Sequence, residues 1–194
     1  MGKNKFLKYY KESFKYLGSC YKQILFIFGI FVLFGLAGFF IPVPEYLSNQ
    51  ILEYIKQLLE KTENFGFFGM FKFIFLNNLK SSFFGWIFGL PFGIFSVFTS
   101  LFNGYILGFV ASESVVENGF VFLWRILPHG IFELPAVFIS LGMGLKLGSF
   151  FLKKNKKEFL SDNLKKSFIT FLLIVIPLLI IAAIIESALI VFGA

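Results

Sequence analysis

The stretch ILFIFGIFVLFGLAGFFI, residues 24–41, has no charged side chain and decides the fold class. A transmembrane α-helix needs about 20 consecutive apolar residues to cross the hydrocarbon core of a bilayer, and this stretch nearly has that length. A cleaved signal peptide is the rival interpretation, but such a peptide has a shorter apolar region followed by a small-residue cleavage site. We therefore predict that residues 24–41 form the first transmembrane helix, which ends at Pro42 and Pro44.

The composition of the rest of the chain has the same character. Of its 194 residues, 57% are hydrophobic and only 15% are charged, whereas soluble globular domains have about 25% charged residues. The charged residues occur in blocks that are separated by long apolar stretches. This pattern predicts an all-α, polytopic helical integral membrane protein, with about five transmembrane helices and short amphipathic helices at the membrane interface. Residues 1–194 are predicted to form one membrane domain.

Four further apolar stretches are predicted to cross the membrane, at residues 73–97, 101–116, 128–151 and 168–192. The first two of these contain Gly, Pro or polar residues, so they are either full spans or broken, re-entrant segments shielded by neighbouring helices. Both alternatives return the chain to the same side of the membrane. Residues 45–63 are polar and acidic with apolar residues along one face, which predicts a helix on the outer interface.

Two lysine-rich segments predict the orientation of the chain. Residues 1–22 read as a basic amphipathic helix on the cytoplasmic leaflet, with a disordered basic tail as the alternative. Residues 153–166 are interpreted as a basic cytoplasmic loop. Because lysine-rich segments stay in the cytoplasm, we predict a multi-pass protein of the cell membrane with a cytoplasmic N-terminus and an external C-terminus. The net charge of +7 therefore indicates membrane orientation, and no nucleic-acid partner is predicted.

Polar residues inside the apolar segments are the candidate functional residues, because an ionisable group at membrane depth costs about 2.5 to 3.5 kcal/mol. His129 and Glu133 are four residues apart, so they share one helical face. We hypothesise that these residues converge into one cluster in the outer half of the membrane. Its predicted members are Asn77 or its neighbour Asn78, Asn103, His129, Glu133 and Glu186.

Two roles remain open for this cluster. It could hold the helices together by hydrogen bonds, which is the common use of buried amides in membranes. It could instead be a proton or cation site, with Glu133 and Glu186 as carboxylates and His129 as a relay. One His and two Glu are thin support for a metal site, and no metal or cofactor is predicted.

Small residues at four-residue spacing predict close helix packing. The predicted packing glycines are Gly85, Gly89 and Gly93 on one ridge, Gly104 and Gly108 on a second, and Gly144 and Gly148 on a third.

Signatures of enzymes are missing from the sequence. It has no His-Glu-x-x-His, no Gly-x-Ser-x-Gly and no P-loop. Asp162 is the only Asp and falls in the basic loop, so an intramembrane aspartyl dyad is excluded. Cys20 is the only Cys, so there is no intrachain disulfide. We predict that the protein has no catalytic residues and is not an enzyme.

The run PHGIFELPAVFISLGMGLKLG, residues 128–148, resembles the signature of the stage II sporulation protein M family. An Asn at 77 or 78, Asn103-Gly104 with Gly108, and Glu186 also fit that family, so the resemblance covers about residues 20–192. It implies a multi-spanning membrane protein. The best-studied member acts as a membrane anchor or scaffold beside two peptidoglycan-degrading partners.

Two functions therefore compete at this point. One is a non-enzymatic membrane scaffold or complex subunit, whose partners are the lipid bilayer, other membrane or cell-envelope proteins, or further copies of the chain. The alternative is a proton- or ion-coupled transporter or channel that uses the His/Glu cluster. A scaffold would tolerate Gln at Glu133 and Glu186 with loss of stability only, whereas a transporter would lose flux.

Overall fold

The computed structural model describes residues 2–41, 44–90, 92–120 and 123–193, and Pro42 lies outside them. Every secondary-structure element in these ranges is helical. The helices are α1 (Gly2–Ser19), α2 (Tyr21–Phe40), α3 (Glu45–Thr62), α4 (Phe67–Ile87), α5 (Ile94–Asn118), α6 (Leu123–Gly148), α7 (Lys156–Thr170) and α8 (Ile176–Phe192). A short 3-10 helix, Ser149–Leu152, follows α6, and a π-helical segment, Phe171–Val175, joins α7 to α8.

Membrane-spanning length and apolar composition are found in four stretches of the described helices. They are Tyr21–Phe40, Ile94–Val116, Glu133–Leu152 and Lys156–Phe192. A helical, membrane-type protein is thus confirmed, while α4 is not among these four candidates. The predicted count of about five spans therefore stays a prediction, as do the interfacial positions of α1 and α3.

A tight turn lies between α4 and α5, inside the stretch 73–97, for which a full span and a broken segment are the two predicted alternatives. The α4 helix ends at Ile87 and α5 begins at Ile94. Gly93 has φ of 74° and Phe92 has φ of 58°, both in the left-handed region. Glycine adopts that region without the steric cost that a side chain brings, so the chain reverses at this position.

The basic segment 153–166 is mostly helix rather than loop. Its residues from Lys156 onward form α7, which continues through the π-helical segment into α8 as one helical stretch of 37 residues. At about 1.5 Å per residue such a helix is about 55 Å long, whereas the hydrocarbon core is about 30 Å thick. A large part of α7 can therefore lie outside the bilayer, where its lysines remain hydrated.

Helix α1 packs beside α7, so the two basic segments lie at the same end of the molecule. Lys146, near the end of α6, donates hydrogen bonds to Ser19 at this end. At the opposite end, residues of α3 such as Leu59 and Thr62 line a cavity with Ile190 of α8. The chain thus has a basic end and an end that carries α3.

Helices α2 and α5 touch backbone to backbone. A Cβ added at Gly38 would meet the carbonyl oxygen of Tyr105, and one at Gly104 would meet that of Phe31. One at Gly108 would meet the carbonyl oxygen of Gly35. Ile27 meets Ser100, Phe31 meets Gly104 and Gly35 meets Gly108. Because these positions increase together along both helices, α2 and α5 run parallel.

Helices α4 and α6 make a second close contact. A Cβ at Gly144 would meet the carbonyl oxygens of Gly85 and Trp86 on α4, and a Cβ at Gly85 would meet the side chain of Leu141. Gly89 and Gly93 lie in the turn after α4, where they meet the backbone of Gly144 and Gly148. The predicted ridge of Gly85, Gly89 and Gly93 is therefore not a single helix face, although all three residues lie against α6.

Buried serine hydroxyls connect the same helices by hydrogen bonds to backbone carbonyls. Ser96 of α5 donates to the carbonyl of Gly85 at 2.8 Å. Ser100, also of α5, donates to the carbonyl of Ile27 on α2 at 2.8 Å. Ser140 of α6 donates to the carbonyl of Ser82 on α4 at 2.6 Å. These bonds give the serine hydroxyls the acceptors that lipid does not offer, and they fix the rotation of each helix about its axis.

We expect Gly108→Ala to destabilise the protein by about 1 to 3 kcal/mol, because the new methyl would force α2 and α5 apart. The matched control is Gly29→Ala on α2, where an added Cβ would meet nothing within 4 Å. Thermal unfolding of both variants in detergent, followed by circular dichroism, measures the difference. A Gly108→Ala variant as stable as Gly29→Ala would contradict the close contact.

Candidate functional site

A cavity of about 400 Å³ lies among α2, α4, α5 and α6. One part of its wall is polar and combines amide, hydroxyl and carboxylate side chains. The polar lining residues are Asn77, Asn78, Ser81, Asn103 and Glu133, and the apolar ones are Phe31, Ile106, Leu107, Val110, Leu134 and Val137. Three of the residues that the sequence singled out, Asn77, Asn103 and Glu133, thus line one cavity.

Glu133 of α6 is the only carboxylate among the residues lining this cavity. Asn78 of α4 lines the cavity beside Glu133, and Asn78 is 8% exposed. A carboxylate at membrane depth needs such polar neighbours, because the bilayer supplies none. Asn78 and Glu133 therefore bring polar groups of α4 and α6 together.

Glu186 of α8 lies behind this cavity and does not line it. Its carboxylate is close enough to Glu133 for the two groups to interact electrostatically. Its Oε2 atom is buried and has no hydrogen-bond partner among the described residues. Fully buried Ala182 and Ala183 bring α8 against its neighbours just before Glu186. Glu186 is thus a carboxylate with an unsatisfied acceptor near a second carboxylate.

The contact between His129 and Glu133 stays a prediction. The backbone of His129 lies in α6, one helical turn before Glu133, and its side chain lies outside the described part of the structure. In the chain as described, no group of three or more His, Cys, Asp or Glu side chains could hold a metal ion.

Ser81 is a lining residue that the sequence analysis missed. It lies four residues after Asn77, so the two side chains share one face of α4. That spacing was visible in the sequence, but a serine in an apolar helix carries little signal because its hydroxyl can bond to its own backbone.

The arrangement has a limited chemical repertoire. Amide side chains and a carboxylate can hydrogen-bond to water, and a carboxylate can take up a proton or bind a cation. A polar cavity of this size has room for ordered water molecules. The site can therefore hold helices together, and it also has the groups that a proton or cation would need.

Comparisons with known proteins give a consistent result. The family model described as "Stage II sporulation protein M" matches residues 24–189. An uncharacterized protein of Methanocaldococcus jannaschii is 35% identical over 121 residues, which cover 60% of this chain and 68% of that relative. A second uncharacterized protein of the same organism is 31% identical over 105 residues, covering 49% of this chain and 45% of that relative. No solved structure matches the chain.

We expect a cysteine placed at Asn103 to react with a small water-soluble thiol reagent, because thiols react as thiolates and thiolates form only where water is present. The buried native Cys20 is first replaced by Ser. The matched control is Ala136→Cys on α6, since Ala136 is completely buried. Mass spectrometry of the labelled protein in liposomes measures the reaction. Equal, low labelling at both positions would show that the cavity is dry.

Proposed function

Because this chain belongs to the stage II sporulation protein M family, we propose that it is a non-enzymatic, multi-pass membrane scaffold or complex subunit. The observation that carries this proposal is the way its helices are joined. Backbone contacts at glycines and hydrogen bonds from buried serines leave the interior with few ways to rearrange. A bundle of this kind suits a protein that holds others in a fixed geometry. It is less suited to alternating access, which moves one half of a transporter against the other.

We infer that α4 is a fifth span, although its composition is less apolar than that of the other four. It packs against both α6 and α8, and Met70, Ile74, Asn78, Ser82 and Trp86 are buried along its length. A helix packed between two spans over this length lies at the same membrane depth as they do. Its two asparagines then face protein rather than lipid, which lowers their cost.

The orientation we propose follows from the basic end. Since α1 and α7 lie together there, one placement of the chain satisfies the positive-inside rule for both. The N-terminus is then cytoplasmic, α3 lies on the outer face and the C-terminus is outside. The membrane we propose is the cell membrane.

The partners we propose are lipids, other membrane or cell-envelope proteins, and further copies of the chain. Sporulation appears in the name of the family and is not carried over to this chain. Exposed apolar side chains of the spans, such as Leu25, Leu33 and Phe98, offer surface for lipids or for other helices. The parts outside the candidate spans are short, so contacts within the membrane carry much of any assembly.

A second candidate function is proton- or cation-coupled transport, and one observation favours it. The carboxylate of Glu133 lines a cavity whose wall is partly polar, and Glu186, which is close to Glu133, has a buried oxygen without a partner among the described residues. Two carboxylates in this position resemble the proton-carrying groups of transporters in their chemistry. The decisive difference between the two candidates is flux.

The proposed orientation predicts different labelling of two cysteines in a Cys20→Ser background. Asn49→Cys on α3 is expected to react in intact cells with a thiol reagent that cannot cross membranes. Lys154→Cys, at the basic end, is expected to react only after the cells are permeabilised. Both side chains are exposed on the protein, so the side of the membrane on which each lies decides whether it is labelled. Labelling of Lys154→Cys in intact cells would reverse the orientation.

The scaffold proposal predicts no proton or sodium flux through the purified protein in liposomes. Under an imposed pH or sodium gradient, wild type, Glu133→Gln and the control Glu113→Gln should match protein-free liposomes. Glu113 is on α5 and does not line the cavity. The scaffold proposal fails if wild type and Glu113→Gln pass ions and Glu133→Gln does not, and that pattern would establish the transport alternative.

The same proposal predicts a defined partner in native membranes. Chemical cross-linking followed by purification of the tagged chain should recover one or more membrane proteins at constant ratio to the chain. Glu133→Gln should recover the same proteins, since a scaffold does not use that charge. Recovery of the chain alone as a monomer would contradict the proposal.

A further inference from the structure

A second cavity, about 670 Å³ in volume, lies between α1 and α7 at the basic end. We call it the α1–α7 groove. Its lining includes four lysines and two acidic residues, so its charge is positive. The charged lining residues are Lys8, Glu12, Lys15, Asp162, Lys165 and Lys166.

Half of these lysines are already paired with acids of their own helix. The Nζ atom of Lys166 is 2.6 Å from Asp162, and that of Lys8 is 4.0 Å from Glu12. Neither Lys15 nor Lys165 has a carboxylate within 4.0 Å in the part of the chain that the structure describes. Two positive charges on facing helices therefore border one groove without a compensating acid.

Tyr16 also lines this groove. The residue is only 4% exposed, and its buried hydroxyl lies near the buried side chains of Cys20 and Ser167. Burial, followed by the effect of neighbouring Cys20, raises the pKa of the Tyr16 phenol well above its ordinary range. Tyr16 therefore keeps its proton and adds no negative charge to the groove.

Lys146 of α6 adds a further positive charge next to the groove. Its Nζ donates to the carbonyl of Ser19 at 3.1 Å and to the hydroxyl of Ser19 at 2.6 Å. The same atom lies 4.8 Å from the ring centroid of Tyr16. Since Ser19 and Tyr16 both line the groove, Lys146 connects the groove to the membrane bundle.

We propose that the α1–α7 groove binds a phosphate group. The ammonium groups of Lys15 and Lys165 supply charge and hydrogen-bond donors from two sides, and neutral Tyr16 forms part of the wall. Phosphate oxygens accept such hydrogen bonds and carry the matching charge. This site is separate from the Asn and Glu cavity and does not depend on the scaffold or the transport proposal.

The phosphate can come from an anionic lipid headgroup or from a soluble molecule. The aromatic residues Phe6, Tyr10 and Phe14 of α1 are exposed and stack along one side of the helix. Helical spacing puts them on a different side from Lys8 and Lys15. If these rings contact the bilayer, the groove stays accessible to a lipid headgroup at the membrane surface and to a soluble phosphate compound.

Binding to the full chain in detergent is measured by microscale thermophoresis with three probes. Dioctanoyl phosphatidic acid represents the lipid source, inorganic pyrophosphate represents the soluble source, and dioctanoyl phosphatidylcholine is the control without net charge. We expect phosphatidic acid or pyrophosphate to bind. The double variant Lys15→Gln with Lys165→Gln should weaken the affinity about 25-fold, because each lost lysine weakens binding about fivefold. The matched control, Lys154→Gln with Lys157→Gln, removes the same charge from exposed residues outside the groove.

Each outcome decides the proposal. Binding of phosphatidic acid but not pyrophosphate supports it with a lipid as the source, and binding of pyrophosphate supports it with a soluble source. Binding of neither, or an equal loss in both double variants, overturns it. If the groove variant fails to fold, Lys15→Gln alone decides instead. Lys15 is exposed and has no carboxylate within 4.0 Å among the described residues, so stability should hold while affinity falls about fivefold, and unchanged affinity overturns the proposal.

Discussion

A bilayer offers no hydrogen-bond partner to a backbone amide or carbonyl, and the rest of this structure depends on that constraint. Each span is a helix because a helix pairs its own backbone groups. Between helices, attraction must come from close packing and from a few polar contacts, since lipid tails are as apolar as leucine. The parallel pairs α2 with α5 and α4 with α6 use both means, with glycine against backbone and serine against carbonyl.

Because the bilayer offers no hydrogen-bond partners, polar residues within the spans are candidates for a function. Asn78 and Glu133 lie side by side in the cavity wall, and polar neighbours lower the cost of placing such groups among the helices. Glu186 has a buried oxygen without such a partner among the described residues. A scaffold needs only the contact between Asn78 and Glu133. The unpaired oxygen of Glu186 is an energetic cost that packing does not explain, and this cost favours the transport alternative.

The two ends of the molecule differ in charge and therefore in what they can contact. Lysines of α1 and α7 border a groove at one end, and Lys146 ties that groove to the bundle. At the other end, α3 carries three Glu against two Lys. The concentration of lysines at one end favours one orientation in the membrane.

The sequence by itself determined the membrane class, the family and the helical fold, because a long run of uncharged residues has few stable alternatives in water or in lipid. It also pointed to Asn77, Asn103 and Glu133, since polar groups at membrane depth are costly and rare. Only the tertiary structure decided which helices meet. The structure shows a turn at Gly93 within the stretch 73–97, a helix α7 where a basic loop was predicted, and α1 packed beside α7. It also shows that Ser81 lines the cavity and that Glu186 does not. Which helices meet and which residues line the cavity depend on contacts between residues far apart in the chain, and the local spacing that predicts a helix contains no information about those contacts.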